Sequence, residues 1–418
     1  MNMNMNNIKL SSMMFLEWFI WGAWFVPLWQ FLSYHGFSAA QISLCYATTA
    51  MAAVISPIII GSITDRYFAA QKVLAVLCLL GALLMYLAAQ QTTFNLFFPI
   101  LFLYALTYMP TVALTNTIAL SNVSDAERYF PRIRVLGTIG WIASGVVCGF
   151  LPTLLGFGDI SKSNIPLIIT AISSAVLGLF AFMLPNTPPK STGKISLRVI
   201  LGLDAIILLK DREFRTFTLC SFLFCIPLAF YYTFSNGYLT EIGMTNATGW
   251  LSLGQVSEIL FMLCLPLFIK RYGIKNVLML GLITAGIRYG LFVYGGVDNL
   301  FIYSLLFIGI LLHGVSYDFY FVTGYVYVDK KAPSHVRASA QGLFSLFCLG
   351  LGNLVGYNLG GTMMEYFFKY ETPENGLTYN WAGMWGFGAI MIVVIAVIFL
   401  LFFREKREIE PIRVDQLQ

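Results

Sequence analysis

The chain has 418 residues, 58% of them hydrophobic and only 11% charged, and a formal net charge of +5. Soluble domains carry about 25% charged residues, so a soluble globular protein is excluded. Aromatic residues make up 16% of the chain, and its 36 Gly and 15 Pro are scattered among long apolar runs, which also excludes disordered, collagen-like and disulfide-framework classes.

The apolar runs last about 20 residues and lack period-two alternation, which predicts membrane-spanning helices and not a β-barrel. In chain order, spans are predicted at 12–33, 40–64, 71–90, 95–120, 133–153, 164–184, 215–239, 250–269, 275–294, 299–327, 337–363 and 380–403. The opening MNMNMNNIKLS lacks the basic start and small-residue cleavage site of a secretory signal, so the first span is expected to be a retained helix. With the N-terminus inside, 22 of the 25 Lys and Arg residues fall on the cytoplasmic side, and only Lys162, Arg288 and Lys369 are left out. This asymmetry predicts cytoplasmic termini and an even number of spans. The positive net charge is then a topology signal, and no nucleic-acid partner is expected. All seven cysteines fall inside spans, so neither a disulfide nor a metal framework is expected.

The longest polar connection, residues 185–214, separates six spans from six and contains LGLDAIILLK, which reads as a short amphipathic helix along the inner surface. The expected organisation is an N-terminal half at 1–184, this linker, a C-terminal half at 215–403 and a tail at 404–418. DRYFAAQKVLAV after the second span echoes KRYGIKNVLML after the eighth, with Arg66 and Arg271 205 residues apart. PRIRVLGTIG echoes PSHVRASAQG, with Arg134 and Arg337 203 residues apart. Two offsets of about half the chain predict a duplicated six-helix unit in parallel orientation. That is the architecture of major-facilitator transporters, whose substrate site lies near the midplane. Gly61, Asp65 and Arg66 in GSITDR match the G-x-x-x-D-R core of that superfamily's gating motif. The same residues also read as a polar turn carrying a positive-inside arginine.

A charge at the bilayer centre costs about 2.5 to 3.5 kcal/mol on insertion scales, so the few ionisable groups within spans carry information. Glu258 lies near the middle of the eighth span with Gln255 on the same helical face, where the pair can bind ligand hydroxyls or a base edge or form an interhelical bond. Asp318 stands in LLHGVSYDFYFVTG with His313 and Tyr317 nearby, and can take a proton from one side and release it to the other, or form a fixed charge pair. Arg134 is placed by counting at the inner edge of the fifth span, where a snorkelling arginine is routine, with Thr138 and Trp141 following on one face. Asn116 follows a Pro110 kink in the fourth span. In FYYTFSNGY of the seventh span, Tyr232 and Asn236 share a face and are cavity candidates. Glu17, in FLEWFIWGAW, reads as a proton site, a gate residue or a salt-bridge partner.

Taken together, FIWGAW, TYMPTVALTNTIAL, FPRIRVLGTIGW, LGLDAIILLK, GQVSEILFMLCLPLFIKRYGIKNVL and the stretch from YDF to RASAQG resemble the bacterial nucleoside:proton symporters of the major facilitator superfamily, over essentially the whole chain. The resemblance implies an all-α polytopic membrane protein that imports nucleosides with protons across the bacterial inner membrane by alternating access. It implies that Arg134, Thr138, Gln255, Glu258 and Asp318 line the nucleoside site, with Trp141 at an aromatic position. Where family members carry glutamine and asparagine on the seventh span, this chain has Ala229 and Tyr232, which removes two hydrogen-bonding amides. The expected substrate is a nucleoside or related small polar molecule, the expected proton sites are Asp318, Glu258 and Glu17, and a monomer with no cofactor or metal is expected. A proton symporter of a sugar or other glycoside is the alternative, since Gln, Glu and aromatic groups also suit hydroxylated rings. A membrane-embedded enzyme is the second alternative, although the three histidines lie in separate regions and no nucleophile or metal spacing is present.

Overall fold

The computed structural model describes residues 5–64, 68–189, 203–372, 376–404, 409, 411 and 412. Helices occupy every predicted span. Among the described residues nine are long and apolar enough to cross a membrane, and Ala39–Ile55 and Ile165–Ala181 are shorter apolar helices. The chain divides into two compact units, residues 1–195 with 245–252, and residues 196–244 with 253–418.

The first unit contains α1 (Met5–Phe25), α2 (Leu28–Tyr34), α3 (Ala39–Thr64), α4 (Ala70–Ala89), α5 (Phe94–Asn122), α6 (Ala126–Gly145), α7 (Leu151–Leu154) and α8 (Ile165–Ala181). The first predicted span is therefore two helices broken at Pro27. Proline lacks the N–H that would continue the ladder. The buried hydroxyl of Tyr46 takes over there, donating to the Phe25 carbonyl at 3.0 Å and accepting from the Trp29 amide at 3.2 Å. A π-helical stretch, Val146–Phe150, joins α6 to α7. α1 packs along α6, and the approach is close because Gly140 has no side chain: a Cβ there would run into the Phe15 carbonyl.

The second unit opens with a 3₁₀ helix, Leu203–Lys210, the described part of the expected amphipathic segment, with Ala205 and Leu208 buried. It continues through α9 (Arg212–Glu241), α10 (Ala247–Tyr272, whose first residues group with the other unit), α11 (Ile274–Tyr294), α12 (Leu300–Tyr317), α13 (Thr323–Lys331), α14 (Arg337–Ser345), α15 (Asn353–Tyr366) and α16 (Trp381–Phe402). Asp211, Asn299 and Asn380 cap α9, α12 and α16 by accepting from Phe214, Ile302 and Gly383 amides at 2.8, 3.0 and 2.9 Å. A π-helical turn, Asp318–Val322, links α12 to α13, and a second, Leu346–Gly352, links α14 to α15.

The structure adds a small β-hairpin that the all-α expectation did not contain. β1 (Lys369–Thr372) pairs antiparallel with β2 (Gly376–Tyr379), Lys369 opposite Tyr379 and Thr372 opposite Gly376. Glu241 at the end of α9 accepts from the Thr378 hydroxyl and, at 3.4 Å, from the Tyr379 amide.

Candidate functional site

In the first unit the polar residues gather where α1, α5 and α6 meet. Glu17 on α1 is 0% exposed. Its Oε1 accepts from the Thr111 hydroxyl at 2.6 Å, and its backbone carbonyl accepts from the Tyr108 hydroxyl at 2.6 Å. Oε2 has no hydrogen-bond partner. Of the three readings of Glu17, the salt-bridge partner finds no cation among the described residues: the Thr111 hydroxyl is bonded to its carboxyl, and Tyr108, three residues earlier on the same face of α5, holds its backbone carbonyl. An ion is costly to bury without a counter-charge, so the group suits a carboxyl that gains and loses a proton.

Arg134 does not stand at the edge of its helix. α6 begins at Ala126, so Arg134 lies more than two turns inside it. The polar run AERYFPRIR looks like a loop by hydropathy but is helical, and Pro131 in its early turns does not stop it. The guanidinium sits over the indole of Trp18 at 4.1 Å. Trp141, half-buried, faces Trp18, Trp21 and Phe25 with ring centroids at 6.4, 5.9 and 6.3 Å. Thr138 is half-buried on the same face, so the sequence triad is brought together with two tryptophans that the sequence did not single out. Asn116 is half-buried on α5. Gly61 lies in the last turn of α3, whereas Asp65 and Arg66 of the gating motif lie outside the described residues.

In the second unit α10 and α12 cross at Ser257 and Gly314. The Gly314 amide donates to the Ser257 hydroxyl at 3.1 Å, and a Cβ on Gly314 would collide with the backbone of Ser257 and Glu258. This crossing brings Glu258 near enough to Asp318 for their charges to interact. Gln255 and Glu258 are half-buried on α10. Asp318 is 0% exposed, and neither carboxyl oxygen has a hydrogen-bond partner. It opens the π-helical turn that ends α12, a local irregularity often found at functional positions.

Aromatic rings surround His313, which stands on α12 ahead of Asp318. Tyr231 stacks on His313 at 5.2 Å, Tyr232 stands edge-on to His313 at 6.4 Å, and Tyr317 lies 5.7 Å from His313. Asn236 is buried on α9, one turn beyond Tyr232. Arg288, which falls within the predicted span 275–294, is 1% exposed inside α11, with its Cζ 3.4 Å from the centre of the Tyr231 ring. A desolvated cation over a ring recovers about 2 kcal/mol, against a cost of several kcal/mol for burying an ion. The isolated arginine in an apolar run was the available signal. Its partner, on another helix, was not visible.

A sequence profile described as "Nucleoside H+ symporter" matches residues 3–408. The transporter YegT of Escherichia coli (strain K12) is 69% identical over 408 residues, covering 97% of this chain and 96% of that protein. Nucleoside permease NupG of the same organism is 33% identical over 415 residues, covering 96% of each chain. The crystal structure of nucleoside transporter NupG superposes with a TM-score of 0.84 at 33% identity, over 96% of this chain and 100% of that one. With the major-facilitator fold and matches along nearly its whole length, the chain belongs to the nucleoside H+ symporter family.

Proposed function

We propose that this protein imports nucleosides together with protons across the bacterial plasma membrane, by alternating access of a polar site to the two sides. The observation that carries this reading is Asp318, a carboxyl wholly buried in a span with both oxygens unpartnered. Such a group changes its energy greatly with the loss or gain of one proton. Its neighbour Glu258 and, in the other unit, Glu17 supply further protonatable positions.

The side chains that suit a nucleoside are polar and aromatic. Trp141 and Tyr232 stack on flat rings, and Arg134, Thr138, Asn116, Gln255, Asn236 and Tyr317 supply hydrogen bonds to base and ribose. Protonation of Asp318 from outside permits loading, and release of the proton to the cytoplasm accompanies release of the nucleoside. The charge asymmetry of the sequence supports cytoplasmic termini, and the echoing segments around Arg66 and Arg271 and around Arg134 and Arg337 support a duplicated organisation at 1–184 and 215–403. The protein acts as a monomer.

The reading is tested by uptake of labelled uridine into proteoliposomes under an imposed pH gradient, with and without a protonophore. Gradient-driven accumulation that the protonophore abolishes is expected. Uptake indifferent to the gradient removes the proton coupling, and failure with every nucleoside in a panel removes the substrate class.

A further inference from the structure

Arg288 carries a feature that the transport reading does not use. Its Nε and Nη2 have no hydrogen-bond partner although the residue is 1% exposed. The side chain lines a small cavity with Ser316, Tyr317 and Phe321, with room for about one water-sized group. Tyr231 attracts the cation but leaves those two nitrogens without an acceptor. Asp318 does not serve as the counter-ion, because both of its oxygens are unpartnered too. The Ser316 hydroxyl is turned away to the His313 carbonyl at 3.0 Å. An arginine cannot shed its proton to escape this situation. A water would satisfy the donors but leave the charge, and a nucleoside is far too large for the space.

We propose that this cavity is a binding site for one small monovalent anion of the halide class, held by the Nε and Nη2 groups of Arg288. Chloride meets both requirements of the site, an acceptor for two converging N–H groups and a single negative charge. The ion neutralises a fixed cation in the unit that carries Asp318 and Glu258, and so sets the electrostatic background against which those acids exchange protons.

Detergent-purified protein is unfolded thermally in chloride and in gluconate at equal ionic strength, and the wild-type protein is crystallised in bromide. A binding site for the folded state raises the unfolding temperature by mass action. The expected results are a saturable rise of a few degrees in chloride, its loss in Arg288→Met, and an anomalous bromide peak in the cavity. Equal unfolding temperatures in the two salts for the wild type overturn the proposal, with water as the occupant. Undiminished chloride dependence in Arg288→Met also overturns it, since the ion then binds elsewhere. If Arg288→Met does not fold, the bromide peak in the wild type decides, and its absence from the cavity counts against the site.

Discussion

Replacement of Trp141 by alanine separates a substrate platform from a packing residue. The indole meets Trp18, Trp21 and Phe25 at centroid distances of 6.4, 5.9 and 6.3 Å, yet it is only half-buried, so part of its surface is available to a ligand. Aromatic pairs contribute about 0.5 to 1.5 kcal/mol each beyond area burial. Losing three of them lowers stability by about 1.5 to 4.5 kcal/mol if the terms add. A base stacked on a ring contributes about 1 to 3 kcal/mol, so nucleoside affinity falls roughly 5- to 150-fold. Trp141→Phe keeps a ring for the base and recovers most of the affinity while losing packing area. Calorimetric binding of nucleoside and thermal unfolding, measured on both variants, separate the two effects. An unchanged dissociation constant in a folded Trp141→Ala protein refutes the stacking role and returns the residue to the tryptophan cluster.

Three further outcomes are expected. Asp318→Asn removes no hydrogen bond, since both oxygens are unpartnered, so the protein folds; nucleoside exchange persists while accumulation driven by a pH gradient is lost, as counterflow and gradient assays will show. Thr111→Val strips Glu17 of its 2.6 Å donor and costs about 1 to 3 kcal/mol, whereas Glu17→Gln keeps an acceptor for Thr111 and costs less than about 1 kcal/mol, a ranking read from unfolding temperatures. In the hairpin, burial first and then the charges of Glu365 and Glu241 push the Tyr379 phenol up from 10.0 to about 12. The folded state then holds this proton more tightly than the unfolded state. Its contribution is complete below pH 10 and is lost as pH rises toward about 12. Tyr379→Phe is expected to flatten that part of the stability profile, and an unchanged alkaline slope contradicts the assignment.

The helices were legible because about 20 apolar residues in a row have one stable outcome in a membrane, where every backbone group must be bonded within its own segment. What hydropathy could not supply was structure made by polar residues. The run AERYFPRIR scores as a loop, which displaced Arg134 to a helix edge. The break at Pro27 depended on Tyr46, a buried hydroxyl on the next helix. The hairpin was hard to read because its strands are four residues each and lie between two long spans.

The site was legible in its residue types and less so in its partners. The intramembrane acids stood out because charge is scarce in this chain. Thr111 and Tyr108 contact Glu17 from 94 and 91 residues away, and Tyr231 covers Arg288 from a different helix, so no local pattern could announce them. Membership of a transporter family removes the membrane-enzyme alternative.

Proton coupling is tested most directly by the pH inside proteoliposomes that carry a trapped pH indicator, with no gradient imposed at the start. Adding nucleoside outside is expected to acidify the lumen in step with nucleoside entry for the wild-type protein and not for Asp318→Asn. Nucleoside entering the wild-type vesicles with no change in lumenal pH would contradict proton symport.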